Sequence, residues 1–334
     1  MRRRLDVGMR AWRLRAPLRI AARTIETALL CQVEVREGDH VGRGEAAGVW
    51  YRGDDPEGLP ARIEVVRAAI EAGATREDLM GLLPPGGARN ALDCALWDLE
   101  GQIARRPVWS LAGLPPPIGR PTAMTLGAEA PEAMAATAVG LAGWRILKLK
   151  LIGDGVDGAR VRAVRAARPD ARLVVDANQG FRRDSLLEAL PAFEAAGVSL
   201  IEQPVPVGHD AELEGVATSI PFAADESVQD VDDLASAQGR YQVINIKLDK
   251  CGGLTAAFRL QREAARRGFR TMVGNMLGTS RAMAPALLLA GGAELLDLDG
   301  PLWLAEDVAP PMRYQGGSIH PVPGGWGEGA RDPA

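Results

Sequence analysis

Polar residues close a series of strand-like runs at nearly even intervals, and this recurrence restricts the fold of the 334-residue chain more than any other feature. The runs TAMTL, ILKLKL, LVVDAN, LIEQP, FAADES, VINIKLDK, TMVGNM and LLDLDG end near residues 125, 150, 176, 202, 225, 250, 274 and 297. From Lys150 onward the intervals are 26, 26, 23, 25, 24 and 23 residues. A strand, a helix and two connections fill that length. Eight parallel strands of this kind hide their edges by closing on themselves inside a ring of helices. The expected class is therefore α/β, a modified TIM barrel of (β/α)7β form whose last helix is missing or altered.

The chain before the barrel reads as α+β. Residues 4–35 hold two alternating stretches, 41–46 a third short strand, and 60–80 a helix. The run ARNALDCALWDLEGQIAR, 88–105, sets Leu92, Leu96, Leu99 and Ile103 at the spacing of an amphipathic helix. Proline-rich LPPPIGRP, 114–121, breaks the pattern. The expected division is an α+β unit over 1–117, the barrel over 118–304, and a Gly- and Pro-rich tail over 305–334 that returns to the first unit.

Composition removes several function classes. A net charge of -4 with both signs interspersed argues against a nucleic-acid partner. No apolar run is long enough to span a membrane, and the arginine-rich start lacks the apolar core of a secretory signal. Three cysteines, Cys31, Cys94 and Cys251, lie far apart without zinc spacing, which suits a reducing compartment. A cytoplasmic location is expected. The three histidines form no spaced ligand pair, so the acid/base work falls to other groups.

In a barrel the chemistry collects at the C-terminal ends of the strands. Three consecutive ends carry Asp176, Glu202 and Asp225, and three oxygen ligands aimed at the axis fit Mg2+. Asn178 and Gln203 stand where they could adjust that shell. Lys150 precedes the acids and Lys250 follows them, so the two amines approach from opposite sides. Such a pair suits removal of a proton alpha to a carboxylate and its return to the other face, with the metal stabilising the enediolate. Lys148 shares a strand face with Lys150 and could hold a substrate carboxylate oxygen. In NIKLDK the same alternation puts Asn245, Lys247 and Asp249 on the face opposite Lys250, unless a bulge intervenes.

The series KLK at 148–150, DAN at 176–178, EQP at 202–204, ADES at 224–227 and NIKLDKCGG at 245–253 resembles the enolase superfamily, muconate-lactonising subgroup. Each motif alone is weak; in order and at barrel spacing they are specific, and they span nearly the whole chain. The resemblance implies that the α+β unit is a capping domain closing the barrel mouth. It implies Mg2+ on Asp176, Glu202 and Asp225, with Lys150 and Lys250 as the opposed acid/base pair. It also implies self-association into a homo-oligomer.

The subgroup includes cycloisomerases, o-succinylbenzoate synthases, N-acylamino acid racemases and dipeptide epimerases, so substrate contacts must separate them. Asp297 and Asp299 in LLDLDG share a strand face by alternation, and two acids there suit a substrate ammonium. The pair resembles the signature of dipeptide epimerases. The segment GNMLGTSRA replaces the glutamate that the subgroup often carries after the seventh strand. It resembles the type that acts on L-Ala-D/L-Glu in murein-peptide metabolism. Arg23, in PLRIAART, matches that type's contact to a glutamate side chain, with Arg19 a competing donor. Thr125 matches a substrate-contacting threonine, and Trp50 and Tyr51 of GVWYRGDD are placed to wall the alanyl end. The expected reaction is Mg-dependent interconversion of L-Ala-L-Glu and L-Ala-D-Glu. The alternatives are an N-acylamino acid racemase, an o-succinylbenzoate synthase, or a dipeptide epimerase with another second-residue preference.

Overall fold

A computed structural model describes residues 3–20 and 24–327. Strands β1 (Arg4–Arg19), β2 (Thr24–Glu37) and β3 (His40–Ala46) form an antiparallel sheet in that order. The β1–β2 register shifts between Arg13 and Leu18, around Pro17, which has no N–H for the ladder. Alternation divides β2 between two cores. Cys31, Val33 and Val35 pack towards the helix Gly87–Ala104, while Ala28 and Leu30 join Trp12 and Leu304. Gly42 and Gly44 let β3 lie directly on that helix. A Cβ at either would stand 2.0 Å or less from a helix carbonyl oxygen.

Two expectations change here. Residues 60–80 form three short helices, Leu59–Glu64, Arg67–Glu71 and Arg76–Leu82, rather than one. Gly73, at φ +102°, stops the second, and a capping box between Thr75 and Asp78 starts the third. The helix Gly87–Ala104 is not amphipathic. Every residue from Gly87 to Leu99 is buried, and Ile103 is exposed. The helix is enclosed because it lies between the sheet and the barrel. Arg89 donates to the carbonyls of Cys251 and Gly252, Trp97 to Thr255, and Asp93 Oδ2 accepts from Thr255 N at 2.9 Å.

Eight parallel strands follow: β4 (Met124–Leu126), β5 (Ile146–Lys150), β6 (Arg172–Asp176), β7 (Val198–Glu202), β8 (Phe222–Ala224), β9 (Val243–Ile246), β10 (Arg270–Val273) and β11 (Leu295–Leu296). Each neighbours the next. Ala123 N donates to Leu296 O at 2.8 Å and bridges the first and last members. The result is a modified TIM barrel with an α+β cap. Ala123, Ile146, Val174, Leu200, Ala223, Val243, Met272 and Leu295, one from each strand position, form an apolar layer inside the ring. Leu147 and Leu149 turn outward onto the helices, so Ile146, Lys148 and Lys150 turn in.

The outer ring is less regular than the even spacing implies. The last helix is reduced to Gly300–Trp303, and the connection after β7 carries only a 3-10 turn, Asp210–Leu213. In the tail, Arg313–Gln315 and Ser318–His320 pair with each other and with Arg120–Pro121 at the barrel entry. The tail also meets the first unit, through Ala305 N to Arg13 O and Val108 N to Trp326 O, both 2.8 Å.

Burial, opposed by its bonds to Thr255, raises the Asp93 carboxyl from 3.8 to about 6. A raised carboxyl contributes stability when protonated. That contribution is full below about pH 4 and is lost as pH climbs through about 6. Thermal melts should therefore find the wild type, relative to Asp93→Asn, more stable at pH 5 than at pH 8. A difference of opposite sign would refute this origin of the shift.

Candidate active site

Moving two residues along each strand from the apolar layer gives Thr125, Lys148, Asp176, Glu202, Asp225, Asn245, Gly274 and Asp297. This charged layer lies beneath a cavity of about 410 Å³ between the barrel mouth and the cap. Lys150, Asn178, Lys247 and Asp299 line it from the barrel, and Ile25, Trp50 and Tyr51 from the cap.

Asp176 and Glu202 are adjacent in register at the ends of β6 and β7, and Asp225 follows β8. Asp176 and Glu202 are fully buried and Asp225 nearly so. Lys148 Nζ lies 2.9 Å from Asp176 Oδ2, 2.7 Å from Glu202 Oε2 and 2.6 Å from Asp297 Oδ2. Lys150 Nζ meets Asp176 Oδ2 and Lys247 Nζ meets Asp225 Oδ2, each at 2.6 Å. Asn245 Nδ2 donates to Glu202 Oε1 at 2.7 Å.

These pairings set the protonation states. Burial disfavours the Lys148 charge, but Asp176, Asp297 and Glu202 outweigh it and hold the ammonium well above its ordinary value. Burial raises Asp176, yet Lys148 and Lys150 bring it to about 2. Glu202 goes up to about 7 because burial and the Asp176 charge act together. Asp225, also penalised by burial, is held well down by Lys247 and Lys250.

The donor set fits a hard divalent cation. Three neighbouring strands each aim a carboxylate at one region, where the inward oxygens Glu202 Oε2 and Asp225 Oδ1 are balanced, among the described residues, only by the ammonium groups of Lys148 and Lys250, each at 2.7 Å. Among those residues, no three acids, histidines or cysteines converge into a ready metal shell. Lysine ammonium groups lie against the carboxylates instead. Asn178 has φ +42°, gives its N–H to Asp176 Oδ1, and leaves its own Oδ1 unpartnered at the cavity. Gln203 does not line the cavity. Its Oε1 accepts from the N–H groups of Asp225 and Ser227 and so shapes the loop that presents Asp225.

Lys247 joins Lys148 and Lys150 at the cavity, and Lys250 is enclosed behind it. Lys250 Nζ donates to Asp225 O at 2.5 Å and Val228 O at 2.9 Å, and pairs with Asp225 Oδ1 at 2.7 Å. Strand β9 ends at Ile246, and the chain turns into the helix Leu248–Cys251. Alternation through Asn245 brings Lys247 to the inner face, whereas Lys250 lies one helical turn farther on. The inward Asn245 was thus the sequence signal that distinguishes the two lysines.

Asp297 and Asp299 both line the cavity, although β11 stops before either. Asp297 spends Oδ2 on Lys148 and leaves Oδ1 without a hydrogen bond. Asp299 stands at the start of the helix Gly300–Trp303, where Oδ2 accepts from Thr125 N and Trp303 Nε1. Burial and the Asp297 charge raise its carboxyl. Thr125 lines the cavity, and its backbone N–H supports Asp299. Arg23 lies outside the described residues, and Arg19 is exposed. Glu226, Asn275 and Trp303 also line the cavity and carried no signal in the sequence pattern.

Comparison with known proteins agrees with this architecture. Residues 3–113 match the mandelate racemase / muconate lactonizing enzyme N-terminal domain, and 131–331 the enolase C-terminal domain-like family. The chain is 41% identical over 320 residues to the L-Ala-D/L-Glu epimerase of Escherichia coli, covering 95% of this chain and 99% of that one. It is 42% identical over 245 residues to an N-acetyl-D-glutamate racemase of Pseudoalteromonas, covering 73% and 77%. Among solved structures, an enolase family member from Agrobacterium tumefaciens with homology to dipeptide epimerases holds sodium and L-Ala-L-Glu. It matches with a TM-score of 0.93 at 41% identity, over 96% of this chain and 98% of that one. A dipeptide epimerase from Methylococcus capsulatus complexed with Mg and L-Arg-D-Lys matches at 0.89 and 32%, over 96% and 97%.

Calorimetric titration of metal-free protein with Mn2+ should find Glu202→Gln weaker by roughly 100-fold, a direct ligand costing no less than its outer-shell supports. Unchanged affinity would remove Glu202 from the metal site.

Proposed function

Because the chain belongs to the mandelate racemase / muconate lactonizing enzyme family of the enolase superfamily, and its epimerase relatives make it an isomerase, we propose that it interconverts L-Ala-L-Glu and L-Ala-D-Glu. The observation that carries this reading is the opposition of two cavity lysines beside a buried pair of acids. Lys150 ends β5, and Lys247 follows β9, four places away in a ring of eight. Asp297 and Asp299 follow β11, which comes between β9 and β5 in ring order, and both line the cavity.

The cofactor is Mg2+, which Asp176, Glu202 and Asp225 would hold. When bound it supplies the positive charge that stabilises negative charge developing on the substrate carboxylate. Lys150 and Lys247 face the two sides of the glutamyl α carbon. One, as the neutral amine, takes the α proton; the other, as the ammonium, returns a proton to the opposite face. Lys148 is held as an ammonium and orients a carboxylate oxygen of the same residue. Asp297, with its unpartnered Oδ1, takes the N-terminal ammonium together with Asp299. Trp50 and Tyr51 wall the pocket on the cap side and exclude water. Arg23 binds the distal carboxylate. The physiological setting is the metabolism of murein peptides.

A second reading has one specific support, the N-acetyl-D-glutamate racemase among the relatives. An N-acyl substrate carries no cation for Asp297 and Asp299. The two readings therefore differ at those residues.

In D2O with Mg2+, mass spectrometry should find deuterium entering the glutamyl α position of Ala-Glu, and EDTA should stop it. Exchange confined to N-acetylglutamate would reject the dipeptide reading. Lys247→Met should lower kcat by roughly 100- to 10,000-fold with the fold intact; retention of full activity would return the second role to Lys250. Asp297→Asn, which also removes a charge beside Lys148, should raise KM for Ala-Glu far more than for N-acetylglutamate. Arg23→Ala should raise KM for Ala-Glu far more than for Ala-Leu, and equal effects would remove its role.

A further inference from the structure

The short helix Leu248–Cys251 carries a third charged residue between the two lysines, and it faces the cap. Asp249 is 6% exposed. Its Oδ1 accepts from Ala47 N at 2.9 Å and from Gly48 N at 3.0 Å, some 200 residues away in the chain. Two backbone N–H groups converging on one carboxylate oxygen make a directional clamp with little room to slide.

What the clamp holds matters for the cavity. Ala47 lines it, and the loop that begins there presents Trp50 and Tyr51. Gly48 sits at φ +70°, where a Cβ would meet Asp54 O at 2.2 Å, so the loop folds tightly at its base. Val49 and Asp54 close that base by exchanging backbone bonds of 2.8 and 3.2 Å. The Asp54 carboxylate accepts from Gly87 N at 2.7 Å, which ties the loop to the cap helix. At the tip, Arg52 donates to Glu226 O at 2.7 Å, next to Asp225.

On the barrel side, the clamp acts on Lys247. Lys247 precedes the helix, and its carbonyl accepts from Lys250 N at 3.0 Å and Cys251 N at 3.1 Å. Asp249 lies within that turn, so a shift of its backbone is transmitted to Lys247. Lys150 sits on a different strand across the barrel, where its Nζ donates to Asp176 Oδ2 rather than to any group of the clamp.

We propose that Asp249 is a positioning residue that registers Lys247 against the cap loop, so that proton transfer on the Lys247 face of the substrate depends on it and transfer on the Lys150 face does not. This rests on the two-lysine reading above. It gives the cap a part in the chemistry beyond covering the substrate, because the loop that contacts the dipeptide also fixes one of the two bases.

The test follows loss of the α hydrogen of each epimer of Ala-Glu in D2O by NMR, with Mg2+ present. With Asp249→Ala, exchange from the epimer deprotonated by Lys247 should fall by roughly tenfold to 100-fold, the cost of a misplaced catalytic group, while exchange from the other epimer changes by less than about twofold. Epimerisation should fall in both directions, since each needs both lysines. Asp249→Asn, which keeps an oxygen acceptor for the two N–H groups, should recover most of the lost rate. Should Asp249→Ala not fold, Asp249→Ser, whose hydroxyl has a shorter reach, is compared in the same way. Equal slowing of both epimers, or no slowing, would overturn the proposal and leave the two-lysine reading standing. Absence of exchange in the wild-type enzyme would overturn the functional reading and this proposal with it.

Discussion

The Lys148 ammonium, shared among Asp176, Glu202 and Asp297, is the interaction on which the site depends. Four buried charges on four different strands would each be costly alone. Lys148 makes them affordable together and pulls the ends of β5, β6, β7 and β11 towards one point. The barrel can therefore keep carboxylates for a metal and a carboxylate for a substrate cation within one small volume. The cost is legible in Glu202, which burial and its neighbour push up to about 7. An extra divalent cation would relieve that excess of negative charge, which is why an oxygen-only shell suits this place.

The cap is attached by polar clamps as much as by apolar packing. Arg89 reaches the carbonyls of Cys251 and Gly252, Glu45 accepts from Thr279 N at 2.8 Å, and Asp93 and Asp249 each take backbone N–H groups across the interface. Such contacts fix direction and distance, whereas apolar contacts tolerate sliding. The cap is thus held in one register over the barrel. The helix Gly87–Ala104 shows the consequence in its sequence: enclosed on all sides, it carries apolar and polar residues together, each polar one turned to a partner.

The eight barrel strands and their charged ends were readable because burial and alternation act locally along each strand. The inward carboxylates of Asp176, Glu202 and Asp225 and the Lys148–Lys150 pair follow from the same rule. Alternation also held in VINIKLDK, where it set Asn245 and Lys247 against Lys250; the choice of Lys250 as second base went against it, since β9 ends at Ile246 and Lys250 drops behind Asp225 while Lys247 stays at the cavity. Asp299 reached the cavity for a reason alternation does not supply, since β11 has already ended and Asp299 begins a helix. The broken helices after Leu59 were hidden because their apolar spacing is continuous and only Gly73 and the Thr75–Asp78 box divide them. Long-range contacts, such as Asp249 with Ala47 and Gly48, leave no periodic trace at all.

The apolar layer from Ala123 to Leu295 has a further consequence. It is a plug. The cavity is therefore closed on the barrel side, and Trp50 and Tyr51 of the cap stand among its walls. The loop from Ala47 to Asp54 is at once a wall of that chamber and part of its threshold.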